Sequence, residues 1–232
     1  PWTKEELKEY KKCLDDPKYF AKKYCKVIHL DKGLIPFDLY PYQEKMFDSF
    51  TEHRFNIVLA CRQSGKSIAV VAYLLWYAIF KGEQVVGVLA NKNAIAREML
   101  ARITLMLENL PFFLQPGCTA LNKGSIGFSN NSRIIAAATS SSSIRGMSLN
   151  LVYLDEFAFV DNAAEFYTST YPVISSGKTS KIIITSTANG IGNMYHKLYE
   201  GAVQGTNEFT PTRVDWWDVP GRDEAWKQMT VE

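Results

Sequence analysis

Along this chain the apolar positions keep two different rhythms, and the change from one to the other divides it into elements. Near the N-terminus Leu7, Tyr10 and Leu14 recur at helical intervals behind Thr3 and Glu6, which have capping-box spacing, and Asp16 with Pro17 restarts a second helix. A turn-rich passage over residues 31–41 follows. Beyond it, short continuous runs of Val, Ile and Leu alternate with longer helical stretches: strands are predicted at 56–60, 85–90, 133–139, 150–155 and 181–187, and helices from Lys66 onward and over 94–107. Strands that are apolar throughout are buried on both faces, so the alternation predicts an α/β domain with a mostly parallel central sheet flanked by helices. The serine run at 140–143 follows a strand, at the edge where such sheets carry ligand loops. The tail from Arg213, "RVDWWDVPGRDEAWKQM", reads as a turn at Pro220 and Gly221 and then a helix that packs its tryptophans on the core.

Length and composition narrow this picture. At 232 residues there is room for one substantial domain and a small appendage. Hydrophobic content of 47% against 22% charged residues excludes a largely disordered chain, and a net charge of +2 leaves any nucleic-acid contact to a local basic surface. Cys13, Cys25, Cys61 and Cys118 are too scattered for a zinc site and too few for a secreted disulfide scaffold, which points to a reducing cytosol. The longest apolar run, 68–80, is shorter than the roughly 20 residues that span a bilayer. It reads as a buried helix, and no membrane partner is expected. The chain opens on Pro1 and not on methionine, from which a trimmed N-terminus is expected.

The chemistry is concentrated in four stretches. "LACRQSGKS" lies between a predicted strand and helix, the context of a phosphate-binding loop. There, backbone N–H groups at a helix start converge on an anion, a lysine adds mobile charge, and a Ser/Thr hydroxyl ligates magnesium. Gly65, Lys66 and Ser67 supply these parts, with Ala60, Cys61, Gln63 and Ser64 lining the loop and Ala60 standing where the pattern asks for glycine. The competing reading is an accidental Gly-Lys-Ser at a helix start. "LNLVYLDEFAF" is a buried strand ending in Asp155, a candidate magnesium ligand, and Glu156, a candidate base that polarises a water toward the γ-phosphate. Its alternative is a pair of solvated acids capping the next helix. "KIIITSTANG" ends a strand in Thr185, Ser186 and Thr187, whose hydroxyls are candidates for reporting hydrolysis to the fold, although polar strand ends are common. In "LYPYQEKMF", Gln43 offers a donor and an acceptor to an adenine edge and Tyr40 or Tyr42 a ring to stack on it; the alternative is a helix start with core aromatics. Arg62 inside the loop is a candidate γ-phosphate contact in cis, and Arg145 a candidate finger toward a neighbouring subunit, unless either makes a structural ion pair.

Taken together, "ACRQSGKS", "SIRGMSLNLVYLDEFAF", "TSTANG" and "WWDVPGRDEAW" resemble the ATPase domain of the large terminase subunit of tailed bacteriophages, over about residues 39–226. The resemblance implies a P-loop NTPase fold of the ASCE/RecA-like type, with a small helical flanking subdomain. It implies an ATPase core over residues 36–205, flanking helical or lid segments at 1–35 and 206–232, and a C-terminal nuclease domain that lies outside this chain. In that family the loop commonly departs from the first glycine and carries an arginine, as Arg62 does here. The implied roles are phosphate and Mg2+ binding for Lys66 and Ser67, a loop arginine at Arg62, metal binding by Asp155 and a catalytic carboxylate at Glu156. Thr185, Ser186 and Thr187 would be the coupling motif, Tyr42 and Gln43 the adenine-side motif, and Arg145 a finger offered to the adjacent subunit. ATP and Mg2+ are the implied cofactors. Double-stranded DNA, a portal ring, a small terminase subunit and further copies of the chain in a ring are the implied partners, in the cytoplasm of an infected bacterial host.

Two rival readings differ in testable ways. A DExD-type helicase carries an acidic box and a Ser-Ala-Thr-like motif where "LDEFA" and "TSTA" stand, but needs a second domain of similar size that the residues after Thr187 cannot hold. A nucleotide-binding assembly module without turnover has no need of Glu156 beside the metal ligand.

Overall fold

The computed structural model describes residues 2–140 and 147–231. Two helices, α1 (Lys4–Asp15) and α2 (Pro17–Tyr24), lead into a hairpin, β1 (Lys26–His29) and β2 (Gly33–Pro36), and a third helix, α3 (Pro41–Glu52). Then come β3 (Phe55–Ala60), α4 (Lys66–Lys81), β4 (Val85–Ala90), α5 (Asn93–Glu108), β5 (Cys118–Leu121), β6 (Ser125–Phe128), β7 (Arg133–Ala138) and β8 (Leu151–Leu154). The chain closes with α6 (Ala163–Ser175), β9 (Lys181–Ser186), α7 (Met194–Val203), β10 (Thr210–Val214) and α8 (Glu224–Val231).

Local chemistry accounts for the starts of the first helices. Thr3 and Glu6 exchange side-chain-to-backbone hydrogen bonds at 2.7 and 3.1 Å, and the Asp16 carboxylate caps α2 by accepting from Lys18 N at 2.8 Å, with Pro17 in the first turn. The apolar α4 is buried around nearly its whole circumference, as a helix without a polar face must be. It is tied to its neighbours where its aromatic side chains carry polar ends: Trp76 Nε1 donates to Cys13 O at 2.7 Å and the Tyr73 hydroxyl to Phe50 O at 2.9 Å.

Eight strands form one sheet in the order β10-β3-β9-β8-β4-β7-β6-β5. Every neighbouring pair from β10 to β7 is parallel, and β6 and β5 extend the far edge antiparallel, so the α/β expectation of a mostly parallel sheet holds. Helices α1 to α5 bury one face around α4, and α6 and α7 bury the other around Phe55, Phe166, Ile184 and Phe209. The crossover through α4 carries the chain from β3 past two positions that β9 and β8 later fill. As a result the tips of β3 and β8 flank β9, with Leu59 opposite Ser186 and Leu154 opposite Ile184.

Several elements depart from the expectations. The turn-rich passage supplies the turn and second strand of the β1–β2 hairpin, whose Ile28 and Leu30, just before it, are exposed and so show no burial rhythm. β5 is exposed throughout. β10 carries Pro211, which argues against a strand by sequence, but it lies at the sheet edge, where proline is tolerated. Residues 206–232, expected as a flanking segment, thus supply an edge strand to the main sheet. The tail tryptophans do not pack on the core: Trp217 is exposed, and Trp216 and Trp226 stack on each other with ring centroids 6.1 Å apart. Their neighbours are cations instead, Lys227 over Trp216 and Arg222 over Trp226, and such a cluster is stable at the surface. No helix among the described residues is long and apolar enough to cross a membrane.

Candidate nucleotide site

The chain leaves β3 without turning at Ala60. That residue is still in register with Val214, and Cys61 donates its N–H to Val214 O at 3.0 Å. The turn comes later, at Gln63 (φ 54°) and Gly65 (φ 72°), both left-handed. Glycine is required at position 65, where a Cβ would also meet Gln43 Nε2 at 2.8 Å, and not at position 60, which accounts for the alanine. Gly65 caps α4 and Lys66 opens it, so the loop ends on the N–H groups and positive dipole of a long helix.

Four successive carbonyls of this loop are tied from outside. Arg222 donates Nη1 to Arg62 O at 3.1 Å and Nη2 to Gln63 O at 2.9 Å. The Tyr42 hydroxyl donates to Ser64 O, and Gln43 Nε2 donates to Gly65 O at 3.1 Å. Gln43 Oε1 in turn accepts from Tyr40 N at 2.9 Å. Both polar ends of the Gln43 amide are therefore spent on backbone, and Tyr42 is buried. Tyr42 and Gln43, expected on the adenine side, thus lie directly against the phosphate loop and bond its backbone. Tyr40 stays partly exposed, 5.7 Å from the Tyr42 ring.

The second strand tip supplies two carboxylates. Asp155 is buried just past β8, and Glu156 adopts a left-handed backbone (φ 47°, ψ 47°) that sends the adjacent side chains to different partners. Asp155 Oδ1 accepts from the Tyr153 hydroxyl at 2.6 Å, Thr185 Oγ1 at 3.0 Å and Ser67 Oγ at 3.1 Å. Glu156 Oε1 lies 2.5 Å from Lys66 Nζ. Its Oε2 accepts from Thr187 N at 2.9 Å, Thr187 Oγ1 at 3.2 Å and Ser186 Oγ at 3.3 Å. Burial by itself would raise the Glu156 carboxyl, but the Lys66 ammonium and the Thr187 donors outweigh it and hold the group below its ordinary value. Burial and the facing Asp155 carboxylate push the Tyr153 phenol well upward, so it remains a donor.

Seven of the residues singled out by sequence thus converge: Lys66, Ser67, Asp155, Glu156, Thr185, Ser186 and Thr187. Arg62 is exposed on the outer turn of the loop, and Cys61 is half-buried with Sγ 3.3 Å from Arg222 Nη1. The Ser64 hydroxyl is buried without a hydrogen-bond partner among the described residues. Arg145 lies outside the described residues. Ser67 Oγ and Asp155 Oδ1 put two hard oxygens side by side next to the loop, a donor set that suits Mg2+, which takes few protein ligands and shares phosphate oxygens and water.

Sequence reasoning missed three parts of the site. Arg222 is 160 residues from the carbonyl of Arg62, and no local pattern signals a contact at that separation. Tyr153 sits inside an apolar run and reads as core. A cleft of about 600 Å³ opens beside the loop between the β1–β2 hairpin and α5, with Val27, Ile28, Leu105 and Met106 among its walls and Lys26, Lys66, Glu98 and Arg102 as its charged groups.

The fold and the sequence have relatives. The chain shares its fold with the large terminase ATPase domain of Thermus phage P74-26 at 18% identity and a TM-score of 0.68, with 84% of this chain and 88% of that one covered. It is similar to the large terminase of bacteriophage HK97 at 18% identity and a TM-score of 0.71, covering 93% of this chain and 46% of that one. It is also similar to the large terminase of the thermophilic bacteriophage D6E, in a structure with ATP-gamma-S, at 14% identity and a TM-score of 0.65, covering 83% and 49%. The chain therefore spans about half the length of the HK97 and D6E proteins. A family model described as terminase large subunit, T4likevirus-type, N-terminal, matches residues 57–229, most of the chain and every motif around the phosphate loop and the paired carboxylates, and the chain belongs to that family.

Proposed function

We propose that this chain is the ATPase motor domain of a viral terminase large subunit, which hydrolyses ATP with Mg2+ to drive double-stranded DNA into a procapsid. One observation carries the reading: the tip bearing Lys66 and Ser67 meets the tip bearing Asp155 and Glu156 at 2.5 and 3.1 Å, across the end of the strand that bears Thr185 and Ser186. A phosphoryl-transfer site needs an anion cradle, a cation for the terminal phosphates, a metal position and a base, and this junction has a candidate for each.

The loop from Cys61 to Gly65 cradles the phosphates on its N–H groups, Lys66 neutralises the terminal phosphate, and the sugar and base extend into the adjoining cleft. Ser67 and Asp155 would hold Mg2+, which when bound would offset charge on the phosphate oxygens. Lys66 is paired with Glu156 before phosphate arrives, so an incoming triphosphate competes for the ammonium and leaves Glu156 on its Thr187 side. Glu156 is ionised at neutral pH because its carboxyl is held low, and it orients a water and accepts its proton. The donors that hold Glu156 belong to Ser186 and Thr187, so a shift of the carboxylate pulls on the end of β9. This supports a coupling role for Ser186 and Thr187 through Glu156, with Thr185 tied to the same strand tip through Asp155. Arg62 is the loop arginine, and Arg145 the finger reaching a neighbouring copy in a ring. DNA translocation, the portal ring and small-subunit partners, a nuclease domain elsewhere in the protein and action in the cytoplasm of the infected host complete the proposal for the whole protein.

Steady-state phosphate release and calorimetry with ADP test it. Wild-type chain is expected to release phosphate from ATP in a Mg2+-dependent manner, and Lys66→Ala to weaken ADP binding at least ~10-fold, the worth of one charge-assisted contact. ADP affinity unchanged in Lys66→Ala would overturn the loop assignment. For Arg145, mixing Arg145→Ala with Glu156→Ala chains is expected to restore part of the activity at shared interfaces, and no rescue would refute the trans role.

A further inference from the structure

We infer that Arg222 is a positioning residue for the phosphate loop: its guanidinium fork fixes the outer half of the nucleotide cradle through main-chain carbonyls, without reaching the nucleotide. The inference rests on the nucleotide reading proposed above. It adds a role for a residue of the C-terminal segment.

The first support is the geometry of the fork. Nη1 and Nη2 each take a different carbonyl, Arg62 O at 3.1 Å and Gln63 O at 2.9 Å, and Nη1 also lies 3.3 Å from Cys61 Sγ. Arginine's planar, fixed set of donors suits two acceptors one residue apart, which a lysine's single ammonium meets less well. The second support is the pattern it completes. Carbonyls 62 and 63 are held by Arg222, carbonyl 64 by Tyr42 and carbonyl 65 by Gln43 together with Ala69 N of α4, so four successive carbonyls of the loop are engaged by side chains from outside it. In a trans peptide the N–H of the next residue points opposite to the C=O, and no cis peptide is present among the described residues. Holding the carbonyls of Arg62, Gln63 and Ser64 on these side chains therefore turns the N–H groups of Gln63, Ser64 and Gly65 away from them, as an anion nest requires.

The third support is that Arg222 is itself braced. Its guanidinium lies 4.6 Å from the Trp226 ring centroid, Trp226 stacks on Trp216, and Lys227 sits 5.2 Å from the Trp216 ring. Gly221, left-handed at φ 82°, lets the chain double back, and Arg222 N donates to Val219 O at 3.2 Å. The tryptophan-rich tail thereby has a purpose that core packing does not give it: it is the bracket on which the fork is mounted. Arg62 and Gln63 are the exposed half of the loop, the half with the greatest freedom to turn its peptides, and ordering it before the ligand arrives removes that cost from binding.

The test compares wild type, Arg222→Ala, Arg222→Lys and Lys66→Ala in the intact chain, with ADP as the probe in calorimetry, steady-state ATP kinetics, and hydrogen exchange of the amides of residues 61–65. Arg222→Ala is expected to weaken ADP binding about 10-fold and raise KM similarly, the loss of charge-assisted hydrogen bonds. Turnover at saturation is expected to change less, because no reacting group is removed. Arg222→Lys is expected to fall between the two and to exchange the loop amides faster than wild type while melting at a similar temperature. This second variant keeps the test open if Arg222→Ala folds poorly. ADP affinity and loop exchange in Arg222→Lys and Arg222→Ala indistinguishable from wild type would overturn the inference while leaving the site intact. Wild type that binds ADP no better than Lys66→Ala would instead take down the nucleotide reading and this inference with it.

Discussion

At the tip of β3 the polar contacts run from side chains to main chain: Arg222, Tyr42 and Gln43 hold the carbonyls of residues 62 to 65. At the tip of β8 they run mostly from side chain to side chain: Tyr153, Thr185 and Ser67 gather on Asp155, while Lys66, the hydroxyls of Ser186 and Thr187 and one main-chain donor, Thr187 N, gather on Glu156. The first arrangement fixes the shape of a backbone, and the second fixes the position of charges. A cradle of N–H groups must be rigid to bind, whereas carboxylates that take part in a reaction must exchange one partner for another. The ion pair that joins the tips, Lys66 to Glu156, belongs to both, and it is the contact that phosphate is expected to break.

Breaking that pair by mutation has the largest expected effect on stability. Lys66→Ala leaves a half-buried Glu156 without its cation and is expected to cost about 1–3 kcal/mol, each kcal/mol lowering Tm by roughly 2–4 °C in a chain of this size. The pH dependence has a definite sign. With Lys66 present the folded carboxyl lies below its ordinary value of 4.5, so the pair's contribution is full above that value and is lost as pH falls through the lower folded one. The Tm gap between wild type and Lys66→Ala should therefore be widest near neutrality and narrow below pH 4.5. A gap independent of pH would show that the ion pair does not set it.

Next in size is Tyr153→Phe. The hydroxyl is fully buried and 2.6 Å from Asp155, so its loss is expected to cost about 1–2 kcal/mol and to lower turnover more than nucleotide affinity, because it loosens a charge and not the cradle. Tyr42→Phe is its counterpart at the other tip. It removes the donor to Ser64 O and is expected to cost about 1 kcal/mol or less, with a loss of ADP affinity and little change in turnover at saturation. If the two tyrosine variants shift the same kinetic parameter by the same factor, the division between a shaped backbone and placed charges is wrong.

The parts of the molecule that were legible in the sequence are those whose cause is local. Capping at Thr3 and Asp16, the all-apolar α4 and the buried strands each announce themselves within a few residues, and so do Lys66, Ser67, Asp155 and Glu156, which sit at strand-to-loop junctions. What stayed hidden is set by distance or by exposure. The β1–β2 hairpin and β5 have no burial rhythm to read, and β10 hides behind Pro211 at an edge that only the sheet order reveals. The Tyr42–Gln43 pair was recognisable by residue type, yet nothing local states that this helix start packs against the loop and donates to its carbonyls. Likewise the tail tryptophans were recognisable as a cluster, yet nothing near them in sequence states that they brace an arginine against residues 62 and 63.

The central claim is that the two tips flank one triphosphate and that Glu156 acts on it. Single-turnover ATP hydrolysis with parallel ADP calorimetry on Glu156→Gln tests this most directly. The account predicts affinity equal to or tighter than wild type, since Lys66 no longer has a carboxylate to leave, and hydrolysis slowed at least ~100-fold, the share a positioned general base supplies. Hydrolysis at the wild-type rate in that variant would contradict it.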